Sequence, residues 1–282
     1  MKKKLEVIAE IGVNHNGSLA KAKILIEKAK KAGADYVKFQ YFKSHLLSTG
    51  YAKKAKYQIQ KNNKKETQLQ MLKKYELNLK QMKELKNFSS KKKIKFLVSA
   101  FDEESLLDLK KLRLNLFKVP SGEITNIPYL KLLGSFKKKV IMSTGMSNYK
   151  EIKTAVNVLY KNGLKKKNLC LLQCTSNYPT KISETNLSII SELKKRFKTS
   201  VGFSDHTIEL ETPIFAIFFG AQIIEKHITL KNNDIGPDHK ASLNISNFKK
   251  MVDMIKNFNL VAGTSNKTPN KIEIKNLKLV RK

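Results

Sequence analysis

The chain has 282 residues, of which 41% are hydrophobic and 28% charged, so it is long enough for one large domain and too apolar to be wholly disordered. Its formal net charge of +33 is typical of nucleic-acid-binding proteins, but only three of the 56 basic residues are arginines, which phosphate and base recognition favours. The lysines are spread over nearly every predicted helix. We therefore interpret them as solvated surface charge and expect no nucleic-acid partner.

Cysteine usage and the N-terminus predict a cytoplasmic protein. Cys170 and Cys174 lie on one predicted strand at a separation of about 13 Å by strand rise, which is too long for a disulfide. Two free thiols fit a reducing compartment. The basic start is followed by an apolar stretch that Glu6 and Glu10 interrupt, so we expect no export signal. The longest apolar run, residues 213–224, is too short to span a bilayer.

Short runs rich in Val, Ile and Phe alternate along the chain with amphipathic stretches. The eight runs are residues 7–12, 35–40, 94–101, 115–121, 140–145, 168–174, 200–205 and 222–227. They are mostly continuous rather than alternating in polarity, which is typical of parallel strands covered on both faces. Eight strand–helix repeats predict an α/β protein with a (β/α)₈ TIM barrel. No strand is followed by GxGxxG, so we expect no dinucleotide-binding crevice.

Residues suited to helix N-caps precede several of the amphipathic stretches. Ser18 is predicted to cap the first helix, which ends before Gly33. Asp102 is predicted to cap the third helix and Ser246 the last, because apolar residues follow each at helical spacing.

Two segments have irregular patterns. The connection from about residue 41 to residue 63 is long and polar, and such loops are usually functional or disordered. The lysine-rich tail after Gly263 has weak periodicity. We therefore expect one catalytic barrel over residues 1–263 and a linker or docking strap over residues 264–282.

Active sites of such barrels lie at the C-terminal ends of the strands, where this chain concentrates polar residues. Lys38 and Lys118 stand inside otherwise buried strands, where an unpaired ammonium group is expensive. Two such lysines in one barrel mouth predict an anionic ligand, with Ser121 and Ser204 as further hydrogen-bond donors. The alternative is that the lysines extend to solvent.

His206 and His227 close adjacent strands at matching height, which suits a divalent metal such as Mn, Fe, Co or Zn. The remaining ligands would be water, substrate or a carboxylate. The alternative is a pair of hydrogen-bonded core histidines. Glu10, Glu123 and Asp238 are further carboxylates at the mouth, and each has the alternative of pairing with a lysine.

The other three histidines have structural interpretations. His15 belongs to an NHNG stretch that predicts a tight turn into the first helix. His45 is expected to be solvated in the polar loop, and His239 to flank a turn after Pro237.

The ordered motifs closely resemble those of the N-acetylneuraminate (sialic acid) synthase family, over about residues 5–281. The motifs are AEIGVNHNG, VKFQ, YQIQKN, FKVPSGEITNIPYL, STGM, CTSNYPT, GFSDHT, EKHITL and GPDHKASL. The resemblance implies a (β/α)₈ barrel that condenses phosphoenolpyruvate with an N-acetylated amino sugar. It also implies a divalent metal, usually Mn²⁺ with Mg²⁺ or Co²⁺ as alternatives, and a homodimer.

The resemblance also implies a role for each site residue. The phosphoenolpyruvate ligands would be Lys38, Ser99, Lys118, Ser121, Ser176 and Ser204, and the metal ligands His206 and His227. The residues facing the sugar, three of them catalytic carboxylates, would be Glu10, Glu123, Asp238 and Tyr178, with Gln40 in support and Asn62 or Asn63 also in reach. Family members often carry Thr at Ser99 and some carry Asn at Ser176, which leaves open whether Ser176 or Asn177 meets phosphoenolpyruvate.

The resemblance leaves the acceptor sugar open. We expect N-acetylmannosamine and therefore N-acetylneuraminate as the product. The alternatives are a 2,4-diacetamido sugar that gives a legionaminic acid, and an inactive basic barrel that binds RNA or an acidic partner. The PSGE sequence at 120–123 argues against the pseudaminate branch, which has Phe in place of Gly there. Family members commonly continue into an antifreeze-like domain, which we expect to be absent from this chain. The alternatives are a natural truncation, a fragment of a longer protein and a cap supplied by a separate chain.

Overall fold

A computed structural model describes residues 5–48 and 66–281 of the chain. Within these residues eight parallel strands pair in sequence order, and the first pairs with the eighth, so that the sheet closes into a barrel. The strands are β1 (Glu6–Gly12), β2 (Tyr36–Tyr41), β3 (Lys95–Ala100), β4 (Leu116–Val119), β5 (Lys139–Ser143), β6 (Leu169–Cys174), β7 (Ser200–Asp205) and β8 (Ile223–Thr229). A short β9 (Leu243–Asn244) pairs with the end of β8. The predicted (β/α)₈ fold is confirmed, with every predicted strand in place.

Helices connect the strands and cover the outside of the barrel. They are α1 (Leu19–Lys31), α2 (Ser44–Leu47), α3 (Gln68–Tyr75), α4 (Leu79–Lys91), α5 (Glu103–Lys111), α6 (Ile127–Ser135), α7 (Tyr149–Lys161), α8 (Ser188–Phe197), α9 (Thr212–Phe218), α10 (Ile245–Ala262) and α11 (Lys271–Val280). In the described part of the chain, no helix is long and apolar enough to cross a bilayer.

The capping residues follow the sequence predictions with one correction. Ser18 caps α1 and Asp102 caps α5, each by accepting a backbone hydrogen bond from the first turn. Ser246 does not cap α10, because β9 leads directly into this helix and Asn244 takes the capping position. The side chain of Asn244 accepts a hydrogen bond from the backbone of Asn247 at 2.9 Å. The tail, predicted as a linker or strap, carries α11 with a capping box of its own.

The side chains that face the barrel interior change from apolar to mostly polar along the barrel axis. Ile8, Leu97, Ile141 and Leu172 form an apolar cluster in the lower half of the interior. Two residues further along the first three of these strands, on the same face, the side chains are polar, and on β6 the corresponding residue is Cys174. Glu10 follows Ile8 in this way, and the barrel interior therefore ends in a polar layer at the C-terminal mouth.

Candidate active site

A cavity of about 450 Å³ opens at the C-terminal ends of the strands. All the residues predicted for the site line it except Glu123: Glu10, Lys38, Gln40, Ser99, Lys118, Ser121, Ser176, Tyr178, Ser204, His206, His227 and Asp238. Asn62 and Asn63, predicted to reach the sugar, lie outside the described residues. The structure thus brings together side chains from β1, β2, β3, β4, β7 and β8 and from the loops that follow β4, β6, β7 and β8.

Glu225 stands at the centre of the charged floor of the cavity. Lys118 Nζ donates hydrogen bonds to both of its carboxylate oxygens, at 2.9 and 3.1 Å. Ser204 Oγ donates to Glu225 Oε1 at 3.0 Å, and Lys38 Nζ lies 3.5 Å from the same oxygen. Sequence reasoning did not select Glu225 as a site residue. The available signal was its position two residues before His227, because alternate residues of a strand face the same side.

Lys38 connects Glu225 to the first strand. Its Nζ lies 3.0 Å from Glu10 Oε2 and donates to Ser99 Oγ at 3.2 Å. Gln40 Nε2 donates to the other carboxylate oxygen of Glu10 at 3.3 Å. Lys38 and Lys118 are only 4% and 3% exposed, so the interpretation that these lysines extend to solvent is wrong.

The two buried carboxylates of this floor differ in acidity. Burial raises the pKa of Glu10 to about 7 against the opposing effect of Lys38. Burial also acts on Glu225, but the ammonium groups of Lys118 and Lys38 outweigh it and lower the pKa of Glu225 to about 2. At neutral pH Glu225 is therefore a permanent counter-ion for the lysines, whereas Glu10 can gain or lose a proton.

The two histidines of the mouth present free ring nitrogens. His206 Nδ1 lies 2.7 Å from the carbonyl oxygen of Thr175, so it carries the ring proton and leaves Nε2 as an acceptor. His227 Nδ1 is buried, has no hydrogen-bond partner among the described residues, and lies 3.8 Å from Asp238 Oδ2. Burial lowers the pKa of His206 to about 4 and that of His227 well below its usual value. Both imidazoles are therefore neutral at pH 7, as metal ligands must be.

The histidine pair fits a divalent cation only in part. The two ring centroids are 5.6 Å apart, and the ring of Tyr178 stacks on His206 at 4.1 Å. Within residues 5–48 and 66–281, no three His, Cys, Asp or Glu side chains are arranged to hold a metal by themselves. A cation at this position would take two imidazoles from the chain, with the carboxylate of Asp238 nearby, and its other ligands from substrate or water.

A small polar cradle lies beside the floor, around Gly145. The backbone N–H of Gly145 donates to Ser121 Oγ at 3.0 Å, and Ser121 Oγ lies 3.2 Å from Cys174 Sγ. A Cβ atom at position 145 would stand 2.5 Å from Ser176 Oγ, so the absence of a side chain keeps this cradle open. Asn177 points elsewhere and donates to Glu184 at 3.2 Å. The geometry therefore favours Ser176 over Asn177 as a ligand contact.

Glu123 lies outside the described lining of the cavity. It ends a short 3₁₀ turn, and its Oε2 accepts a hydrogen bond from Asn126 Nδ2 at 2.8 Å. Ser121, two residues earlier, points into the cavity, while Glu123 is held at the start of α6. Burial raises the pKa of Glu123, but its catalytic role stays a prediction that this position does not support.

A hydrogen-bonded network holds the loop that carries Asp238. His239 Nδ1 lies 2.7 Å from Thr229 Oγ1, and its Nε2 lies 3.0 Å from Asn16 Oδ1. Asn14 Nδ2 donates to Ser242 Oγ at 2.8 Å. The NHNG turn and His239 therefore tie this loop to the end of β1, and burial there raises the pKa of Asp238 to about 6.

The two remaining histidines have the structural positions that the sequence predicted. His15 is fully buried in the NHNG turn, where its Nδ1 accepts a hydrogen bond from the backbone of Gly17 at 3.0 Å. His45 is exposed in α2.

The chain matches a known family over most of its length. The model of the NeuB family matches residues 25–267. The chain belongs to the NeuB family. It is therefore a synthase of the phosphoenolpyruvate-dependent condensing type, within the sialic acid and nonulosonate synthases. The predicted resemblance is confirmed.

Several members of the NeuB family are similar to this chain over nearly its whole length. It is 49% identical to the N,N'-diacetyllegionaminic acid synthase of Campylobacter jejuni over 280 residues, which are 99% of this chain and 84% of that protein. It is 42% identical to the synthase of the same name from Legionella pneumophila, covering 98% of this chain and 78% of that protein.

A solved structure of the family has the same fold. The N-acetylneuraminic acid (sialic acid) synthetase from Leptospira borgpetersenii, in complex with citrate, superposes with a TM-score of 0.85 at 30% identity. The match covers 99% of this chain and 92% of that one.

Proposed function

We propose that this protein condenses phosphoenolpyruvate with a 2,4-diacetamido-2,4,6-trideoxy sugar to give N,N'-diacetyllegionaminate and phosphate. We choose this acceptor because the chain has a higher sequence identity to relatives named for diacetyllegionaminate than to a relative named for N-acetylneuraminate. The chain is 49% and 42% identical to two proteins named for that product, but 30% identical to a protein named for N-acetylneuraminate. The sequence-based expectation of N-acetylmannosamine is therefore the less supported of the two acceptors.

The charged floor of the cavity supports phosphoenolpyruvate binding. Lys38 and Lys118 supply two ammonium groups whose positions Glu225 fixes before the ligand arrives. The hydroxyl groups around them add donors for the phosphate and carboxylate oxygens: Ser99, Ser121, Ser176 and Ser204. Charge-assisted hydrogen bonds of this kind are strong in a buried site, and preorganised donors cost little reorganisation on binding.

We propose that His206 and His227 hold a divalent cation, Mn²⁺ by the family resemblance, with Asp238 beside it. When bound, such a cation supplies Lewis acidity that polarises the aldehyde of the open-chain sugar. Asp238, whose pKa burial raises to about 6, is placed to orient the hydroxyl groups of the acceptor. Tyr178 stacks on His206 and lines the same cavity, where it can contact the sugar.

We propose that Glu10 is the general base, which accepts a proton from the water that adds at carbon 2 of phosphoenolpyruvate. Carbon 3 of phosphoenolpyruvate attacks the aldehyde carbon, and the resulting alkoxide takes up a proton from solvent. The positive charge that develops at carbon 2 is stabilised by the ionised Glu10, which then accepts a proton from the water that adds there. The hydroxyl group formed at carbon 2 gives its proton to the leaving phosphate as the carbon–oxygen bond to phosphate breaks, which leaves the keto acid and inorganic phosphate, and Glu10 returns its proton to solvent. A pKa of about 7 suits this role.

The alternative of an inactive barrel that binds RNA or an acidic partner has little support. The charged residues of the cavity floor are buried, and Lys38 and Lys118 each pair with a carboxylate there. Binding a polyanion at the protein surface requires no such buried ion pairs. We also propose a homodimer, from the resemblance alone, and a cytoplasmic location, from the two free thiols and the N-terminal sequence.

Phosphate release with a panel of sugars tests the proposed function. The purified chain is incubated with phosphoenolpyruvate, Mn²⁺ and either the 2,4-diacetamido-2,4,6-trideoxy sugar or N-acetylmannosamine, with a reaction lacking sugar as the control. We expect sugar-dependent release that is faster with the diacetamido sugar. Faster release with N-acetylmannosamine would return the function to N-acetylneuraminate synthesis, and no sugar-dependent release would overturn the proposal.

A further inference from the structure

One side of the cavity is apolar although its floor is charged. Seven side chains form this surface, here called the apolar wall: Val13, Phe42, Leu47, Met71, Leu72, Tyr75 and Phe101. They make up a hydrophobic cluster that is separate from the main core between the strands and the outer helices. Every member of this cluster also lines the cavity.

The apolar wall is built mainly by segments that the barrel itself does not require. The helices α2 and α3 stand between β2 and α4, where a plain strand–helix repeat would have one helix, and they pack on each other. Phe42 and Phe101, which follow β2 and β3, meet edge to face within the wall, with their ring centroids 6.2 Å apart. The wall therefore has the position of a recognition surface added to the mouth of the barrel.

The two substrates of the proposed reaction differ in the apolar groups that could contact the wall. Phosphoenolpyruvate consists almost entirely of charged oxygens and a small reacting CH₂ group, so it fits the floor of lysines and serines. The substantial apolar groups that enter the cavity belong to the acceptor sugar. These groups are the methyl groups of its acetamido substituents and, in a 6-deoxy sugar, the methyl group at carbon 6.

We propose that the apolar wall is the surface that selects the acceptor by its methyl groups. This inference rests on the proposed function. The second acetamido group and the 6-methyl group of a 2,4-diacetamido-2,4,6-trideoxy sugar lie against the wall and lose contact with water. Six of the seven wall side chains offer no strong hydrogen-bonding group to the hydroxyl groups that N-acetylmannosamine carries at the same positions, and only Tyr75 has a hydroxyl. An apolar pocket discriminates by about 10- to 100-fold in kcat/KM against a hydroxylated analogue.

Leu47 and Leu72 are the members of the wall on which the inference is best tested. Both are only partly buried, so an asparagine there leaves no large cavity in the core. Leu46 offers a matched control, since it precedes Leu47 in α2, is 46% exposed and is not part of the cavity lining. Leu47→Asn, Leu72→Asn and Leu46→Asn thus make the same chemical change inside and outside the wall.

The experiment measures kcat/KM of each variant for the diacetamido sugar and for N-acetylmannosamine, with the KM for phosphoenolpyruvate as the control for folding. We expect Leu47→Asn and Leu72→Asn to lower kcat/KM for the diacetamido sugar by about tenfold or more. The value for N-acetylmannosamine and the KM for phosphoenolpyruvate should change less than about threefold, and Leu46→Asn should resemble the unsubstituted protein.

The outcomes separate this inference from the proposed function. Equal losses with both sugars, an unchanged ratio of the two kcat/KM values, or a change confined to the KM for phosphoenolpyruvate would overturn the role of the wall while leaving the reaction in place. If neither sugar stimulates phosphate release by the unsubstituted protein, the proposed function is overturned, and the inference with it.

Discussion

Lys118 donates a hydrogen bond to each carboxylate oxygen of Glu225, at 2.9 and 3.1 Å, although the two residues are 107 positions apart in the chain. Burial alone lowers the pKa of Lys118, and the ionised Glu225 acts against this. The carboxylate of Glu225 therefore favours the charged form of Lys118 in the barrel interior in the absence of substrate. Loss of this pair should affect both the stability of the fold and the affinity for an anion.

The buried pair should make a large contribution to stability. We expect Glu225→Gln to lower the free energy of unfolding by about 3 kcal/mol, because it leaves buried ammonium groups without a counter-ion. Urea unfolding followed by circular dichroism measures this change. Glu192→Gln is the matched control, since Glu192 pairs with Arg196 on the surface of α8, and such pairs contribute about 0.5 kcal/mol or less. Equal effects of the two substitutions would contradict the structural role of Glu225.

Loss of the ammonium group of Lys118 should weaken phosphoenolpyruvate binding. We expect Lys118→Ala to raise the KM for phosphoenolpyruvate by about tenfold or more, since one charge-assisted contact contributes about 1.5–3 kcal/mol. Initial-rate kinetics at a saturating sugar concentration measure it. Lys131→Ala, on the exposed side of α6, should leave this KM unchanged. A change confined to the KM for the sugar would show that Lys118 has been assigned to the wrong substrate.

The positions of Glu10 and Glu123 predict that only the first acts in turnover. We expect Glu10→Gln to lower kcat by about 100-fold or more, as loss of a general base does. Glu123→Gln, whose carboxylate is bonded to Asn126 outside the cavity lining, should change kcat less than about threefold. Similar losses in the two variants would restore Glu123 to the catalytic set.

The raised pKa of Glu10 also predicts the pH dependence of the reaction. The proposed base acts in its ionised form, and burial places its pKa at about 7. kcat/KM should therefore rise as the pH increases through about 7 and level off above it. A rate profile from pH 5.5 to 8.5 measures this limb. A profile that stays flat across pH 7 would exclude Glu10 as the titrating base.

The two neutral histidines of the mouth should be required for metal-dependent turnover. We expect His206→Ala and His227→Ala to abolish turnover that depends on the cation and to lower Mn²⁺ binding in equilibrium dialysis, while circular dichroism stays unchanged. His45→Ala is the control, because His45 is exposed on α2. Full activity of the unsubstituted protein after chelation would remove the metal from the mechanism.

Buried His15 predicts a loss of stability in mild acid. Burial and the nearby charge of Lys21 lower its pKa from 6.5 to about 4, so the folded state favours the neutral ring. The resulting stability is fully present above about pH 6.5 and is lost as the pH falls towards 4, up to about 3 kcal/mol. His15→Asn keeps an acceptor for the backbone of Gly17 and should make this dependence shallower in urea unfolding at pH 4 to 7, by the contribution of one histidine, because the buried His206 and His239 still contribute. His45→Asn should leave the dependence unchanged. An equally steep dependence in His15→Asn would rule out His15 as its source.

The sequence by itself determined the barrel and most of its mouth, because both depend on local patterns. Continuous apolar runs of strand length predict parallel strands, and the residue that ends each strand must lie at the common C-terminal edge. Lys38, Ser204 and His227 were placed in this way without knowledge of any contact between them. Ser18 and Asp102 were likewise identified as caps, since a cap interacts with the next turn of its own helix.

Only the tertiary structure decided which side chains meet and how they ionise. The pairing of Glu225 with Lys118 joins β8 to β4, and no local pattern marks it. Glu10 and Glu225 are both glutamates, but the pKa of Glu10 is raised and that of Glu225 is lowered. Burial dominates at Glu10, whereas the neighbouring ammonium groups dominate at Glu225. The helix α10 begins directly after the short β9, so that its N-cap is Asn244 and not the Ser246 that the sequence pattern predicts. The apolar wall likewise brings together residues from four separate segments, whose shared surface exists only after the chain has folded.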